Sequence, residues 1–113
     1  MSVSFNGFNE KALTFKTESA VETGYPVMMS GSDTVEQCDS GDAFCGVAVH
    51  SEGNYVSVQL AGAVTMPYTG TAPEAGYETL AAGADGSVTA ASGGREYLVL
   101  SVDTVNKKVT FII

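Results

Sequence analysis

Tryptophan is missing from this chain of 113 residues, and histidine, cysteine, proline and basic residues are scarce. Only five residues are lysine or arginine, against 13 aspartates and glutamates, which gives a net charge of −8 at pH 7. A nucleic-acid-binding protein needs clustered cations that displace counterions from phosphates. Because Lys107 and Lys108 are the only adjacent pair, we expect no binding to nucleic acid.

Long apolar runs are also missing. No stretch approaches the roughly 20 residues that a membrane-spanning helix needs, so we expect no membrane segment. The start, Met1 to Asn6, has neither the basic region nor the apolar region of a signal peptide. We therefore expect a protein that is made in the cytoplasm and stays soluble, unless it leaves the cell as part of a particle.

The few residues that carry chemistry are isolated. His50 is the only histidine, and no nucleophile motif accompanies it, so a catalytic triad is not indicated. Four carboxylates close together suggest either a calcium site or a solvated acidic loop, and the spacing of known calcium loops is missing, which favours the loop. They are Asp33, Glu36, Asp39 and Asp42. We expect no enzyme, no metal and no cofactor.

Cys38 and Cys45 are the only cysteines. One pair without a secretion signal is not a disulfide framework, although a bridge across a hairpin is geometrically possible. We expect Cys45 to be a small buried apolar residue. Zinc would need further ligands at workable spacing.

What the sequence does contain is typical of strands and tight turns. Apolar residues make up 44% of the chain, and there are 13 glycines, five tyrosines and five phenylalanines. Apolar and polar residues alternate in 45–50 and again in 55–60, with a Gly/Asn break between them. This pattern predicts a β-hairpin with one buried face.

The hairpin pattern returns near the end of the chain at a constant spacing. Val49, Val56 and Val58 are followed, 53 positions later, by Val102, Val109 and Phe111. Repetition of this kind changes the fold prediction. We predict one all-β domain over 1–113, a small barrel or sandwich built from two pseudo-repeated units, with an N-terminal arm and a connector between the units. The units are 24–60 and 76–113, the arm is 1–10, and the connector is 69–75.

Two strands are predicted to offer an edge to a partner. Lys11–Thr17 alternates, with Leu13 and Phe15 on one side, and the strand at Pro26 should begin at an edge or a bulge because proline lacks a donor. Either edge could pair with a strand of a partner or of a second copy.

Five short segments follow one another in a characteristic order: 24–29, 45–50, 55–64, 75–77 and 83–89. Their order resembles that in the small head-decoration, or capsid-cementing, proteins of tailed phages and prophages, including head-fibre-like proteins. The resemblance implies a β-barrel or β-tulip-like domain, commonly trimeric, that binds the major capsid protein on the outer surface of the virion and stabilises it. It also implies that the N-terminal arm, with Phe5 and Phe8, contacts the capsid.

The candidate partner contacts are therefore Phe5, Phe8, Tyr25 and Pro26. Phe5 and Phe8 could equally tuck against the end of the barrel. The alternative function is a carbohydrate- or protein-binding module of a phage tail or cell-surface complex, in which tyrosines stack on sugars. Tyr55 and Tyr97 are predicted to face outward, which strand propensity alone would also explain.

Overall fold

The computed structural model describes residues 11–113, so the predicted arm with Phe5 and Phe8 lies outside the described residues. The described part has ten strands and one short 3-10 turn, Ala84–Gly86. The strands are β1 (Lys11–Lys16), β2 (Pro26–Gly31), β3 (Thr34–Gln37), β4 (Gly46–Glu52), β5 (Tyr55–Ala61), β6 (Ala63–Thr69), β7 (Gly76–Ala82), β8 (Val88–Ala90), β9 (Arg95–Asp103) and β10 (Lys108–Ile112). No helix of residues 11–113 has the length and apolar character that a membrane crossing requires.

The strands form two closed five-stranded barrels of the same topology. The first has the order β1-β3-β2-β4-β5, and the second has the order β6-β8-β7-β9-β10. Each barrel contains one parallel pair, β1 with β3 and β6 with β8, and its other pairs are antiparallel. The all-β class and the two β units are confirmed, and the structure adds that each unit closes into a barrel of its own.

Each barrel is longer than the predicted repeat because it also includes the strand before it. The units run over 11–61 and 63–113, and Gly62, with φ +101°, joins them. The left-handed backbone at Gly62, which glycine adopts without a steric penalty, separates β5 from β6. The predicted connector 69–75 joins β6 to β7 and so lies inside the second barrel.

The two hairpins of the repeat differ in their turns. Glu52 pairs with Tyr55 across two residues, whereas Asp103 pairs with Lys108 across four. The spacing of 53 therefore relates β5 to β10, but β4 and β9 correspond at a spacing of 51. Both hairpins have a bulge at the equivalent position, which turns Val49 toward solvent and leaves it 37% exposed.

Each barrel has its own apolar core. Valines fill the first, including Val27, Val35, Val56 and Val58, all of which are at most 1% exposed. The second core is larger and aromatic, and it includes two residues that come from the first unit. Those two residues, Phe44 and Val47, connect the first unit to the core of the second barrel.

Candidate interaction site

The segment Phe44–Val47, here called the plug, joins the first barrel to the second. The Phe44 ring stacks on Tyr97, with centroids 5.0 Å apart and planes 14° from parallel. It also meets the edge of Phe111 at 6.0 Å. The Tyr97 hydroxyl donates a hydrogen bond of 2.6 Å to the Phe44 carbonyl oxygen, so the plug is held by both packing and a buried polar contact.

Loop contacts strengthen the same junction. The Gly41 N–H donates to the Ala82 carbonyl oxygen, and the Ala82 N–H donates to the Asp42 carbonyl oxygen, both at 2.8 Å. The Tyr25 ring lies against Gly86, where an added Cβ would come within 2.6 Å of the ring. The two barrels therefore share a core cluster and backbone hydrogen bonds.

In the second barrel, the core-facing residues of the first strand, β6, are buried. Val64 and Met66 lie opposite Phe111 and Val109 across the β6–β10 pair, which places them on the core face. They are 8% and 2% exposed and belong to the same cluster as the plug. The core-facing side of β6 thus lies in a buried cluster to which the preceding unit contributes Phe44 and Val47.

The equivalent face of the first barrel is open. Leu13 and Phe15 lie opposite Val58 and Val56 across the β1–β5 pair, so they point to the core face as well. Phe15 is half-buried, but Leu13 is 61% exposed. We call this surface the mouth: β1 with its Leu13 and Phe15 side chains, and Tyr55 beside them.

One edge of β1 is almost free among the described strands. All six of its residues pair with β5, whereas it meets β3 only where Lys16 lies opposite Thr34. The free edge therefore runs from Lys11 to Phe15 and borders the mouth. A free edge next to exposed apolar side chains is a typical place for another strand to bind.

The charge at the mouth differs from the rest of the first unit. Lys11 and Lys16, at the two ends of β1, are the only lysine or arginine residues between 11 and 61. Asp33 also lines the mouth, beside Lys16 and Tyr55. β1 thus carries two apolar side chains on one face and a lysine at each end of the strand, on an acidic protein.

The predicted contacts are placed differently from one another. Pro26 begins β2 and is less than 2% exposed, so its ring offers no surface to a partner. Tyr25 is half-buried against Gly86, and its hydrogen bond to the Glu22 carboxylate raises its pKa. Both predicted edge strands have neighbours on both sides, but each pairs only in part on one of them: β2 meets β4 at Pro26 and Val27, and β1 meets β3 at Lys16.

The tyrosines divide between core and surface. The prediction that Tyr97 faces outward is wrong: it is 3% exposed, because its ring fills the second core and its hydroxyl reaches the plug. Its burial raises its pKa to about 12. The outward position of Tyr55 is confirmed at 56% exposed, and Tyr77 is 71% exposed.

The isolated chemical groups are placed as follows. His50 is exposed, with its Nε2 3.6 Å from a Glu52 carboxylate oxygen. Cys38 and Cys45 are free thiols and half-buried. Burial, assisted by the Asp42 carboxylate, raises the pKa of Cys38 to about 12, and burial also raises the pKa of Cys45. Among residues 11–113, no group of three or more His, Cys, Asp or Glu side chains is arranged to hold a metal ion.

The sequence pattern does not reveal the roles of two residues in this region, Phe44 and Leu13. Phe44 is the one large apolar residue of an otherwise polar loop, which is the signal that could have identified the plug. Leu13 was assigned to a strand face, but its exposure depends on whether another segment covers that face. No alternation pattern contains that information.

No protein-family model matches the chain, and no curated protein is significantly similar to it.

Proposed function

We propose that this chain is a structural virion protein that binds the outer surface of an assembled phage capsid and stabilises it, without catalysing a reaction. The observation that carries the proposal is the mouth of the first barrel, an apolar strip with a free strand edge and two flanking lysines. Exposed apolar strips that are bordered by charge are typical of surfaces that bind another protein.

The construction of the two barrels supports the same role. The plug buries aromatic rings from both units in one core, and the barrels share backbone hydrogen bonds through Ala82. A protein that holds capsid subunits together needs a compact fold that resists unfolding. In this proposal the partner is the major capsid protein, the location is the capsid surface, and the copies assemble as a homo-oligomer, with a trimer favoured.

The test is to induce prophages in the source organism, purify DNA-filled heads and identify their proteins by mass spectrometry. We expect an 11.6 kDa species in near-stoichiometric ratio to the major capsid protein. If that species is found only in tails or in free lysate, the capsid role is refuted.

Exposed tyrosines favour one alternative, a carbohydrate-binding module. Tyr55 and Tyr77 present rings that are 56% and 71% exposed, and aromatic faces stack on sugars. That function predicts retention of the protein on immobilised glycans and loss of retention in Tyr77→Ala. The capsid role predicts no retention.

A further inference from the structure

We propose that the mouth of the first barrel binds an extended, acidic segment of a partner protein, which adds as a strand to the free edge of β1. The inference rests on the proposed function, which makes the capsid subunit that partner. It goes further in naming the edge, the side chains and the chemistry of the segment that binds.

The free edge determines the conformation of the bound segment. β1 uses one edge to pair with β5 and leaves the other without a strand from Lys11 to Phe15 among residues 11–113. The N–H and C=O groups along such an edge recur at the spacing of a β-strand. A partner satisfies them in series only when it is itself extended.

The second barrel shows what kind of side chain covers this face. Its equivalent residues, Val64 and Met66, are buried in a cluster to which the plug contributes an aromatic ring and a branched aliphatic side chain three residues apart. Leu13 and Phe15 occupy the same positions in the same topology. We therefore expect the bound segment to carry aromatic or branched apolar residues.

The charges decide which partner is favoured. Lys11 and Lys16 lie at the two ends of β1, so a strand added beside β1 would bring its own acidic residues next to them, with Asp33 and Glu18 already near Lys16. A second copy that paired β1 with β1 would instead bring four lysines together at one interface. Complementary charge thus favours a different protein over a second copy.

The experiment uses heads purified from a strain that lacks the gene for this chain, to which purified full-length protein is added back. Two variants alter the mouth: Leu13→Ser, and the double change Lys11→Glu with Lys16→Glu. Two matched controls alter exposed groups of the second barrel: Tyr77→Ser, and Lys107→Glu with Lys108→Glu. The two double variants change the net charge equally.

We expect both mouth variants to bind heads at least tenfold more weakly than the wild type, and both controls to bind within twofold of it. Hydrogen exchange of the bound protein should show slower exchange of the amides in 11–15, as strand addition requires. Because Leu13 is exposed, Leu13→Ser should leave the stability of the free protein unchanged.

Every other outcome contradicts either the proposed function or the docking inference. If wild-type protein does not bind the heads, the proposed function fails. If the wild type binds and the mouth variants bind equally well, the proposed function stands and the docking inference fails. It also fails if Leu13→Ser destabilises the free chain as a core change does, since the chain itself would then cover the mouth. Dissociation of a homo-oligomer by Leu13→Ser without loss of head binding would assign the mouth to a second copy.

Discussion

At the scale of single residues, the Tyr97 hydroxyl connects the two barrels through one hydrogen bond to the Phe44 carbonyl oxygen. Tyr97→Phe keeps the ring and removes the donor, which leaves that buried carbonyl oxygen without this partner. We expect the free energy of unfolding to fall by about 1–3 kcal/mol, measured by urea denaturation followed by circular dichroism. Tyr55→Phe, at an exposed ring, is the control and should change it by less than about 0.5 kcal/mol. Equal effects of the two changes would contradict the role of the hydroxyl.

The raised pKa of the Cys38 thiol predicts low reactivity. Its pKa of about 12 keeps the thiol protonated at pH 8, and the thiolate is the reactive form. In the variant Cys45→Ala, we expect alkylation of Cys38 at pH 8 to be at least a hundredfold slower in the folded protein than in denaturant. The rate in the folded protein should keep rising as the pH increases beyond 9, where the unfolded thiol is already ionised. A plateau near pH 9 in the folded protein would refute the prediction.

The same pKa shift has a consequence for stability. A thiol whose pKa is higher in the folded state than in the unfolded state stabilises the fold below the unfolded pKa, and this contribution is lost as the pH rises toward the folded value. The burial of Cys38 should therefore weaken the fold between about pH 9 and pH 12.

At the scale of elements, close approach of backbones explains one glycine. Gly46 begins β4 and is buried, and an added Cβ would meet the Gln59 carbonyl oxygen of β5 and lie 2.6 Å from Val58 Cγ1. Gly46→Ala should lower the free energy of unfolding by about 1–3 kcal/mol because the β4–β5 pair must shift.

Gly31 provides the matched control for that change. It also lies in a strand, its φ is not positive, and an added Cβ would meet nothing within 4 Å. Gly31→Ala should leave the midpoint of chemical denaturation within error of the wild type. A Gly46→Ala variant that is as stable as Gly31→Ala would show that β4 and β5 separate without cost.

At the scale of the whole molecule, the plug predicts that the two barrels unfold together. Phe44 belongs to the first unit, but its side chain lies in the core of the second barrel, where it is 1% exposed. Phe44→Ala should cost about 3–5 kcal/mol, as truncation of a buried aromatic residue does. Calorimetry should show one transition for the wild type and a lower or divided transition for the variant.

Met29→Ala is the comparison for Phe44→Ala, since Met29 is 45% exposed. It should lower the transition temperature far less. Two separate transitions in the wild-type protein would contradict the coupling of the barrels by the plug.

The sequence by itself determined the class of the fold and its repetition. Alternation in 45–60 and its return 53 residues later indicated two copies of one β unit, because one buried face imposes a period of two on a strand. The sequence does not show that β1 and β6 also occupy equivalent positions in the two barrels. Their sequences, KALTFK and AVTMPYT, have little in common although the strands share the same topology.

Tertiary structure decided which surfaces are covered. Tyr97 alternates like a surface residue, yet the bulge between Val99 and Ser101 turns it to the core face, where Phe44 from a distant loop stacks on its ring. Leu13 alternates like a core residue, yet it is 61% exposed, whereas the equivalent Val64 is buried in a cluster that includes Phe44 and Val47 from the other unit. A period of two identifies the two faces of a strand, but whether a face meets solvent depends on segments far away in the chain, and those meet only in the folded protein.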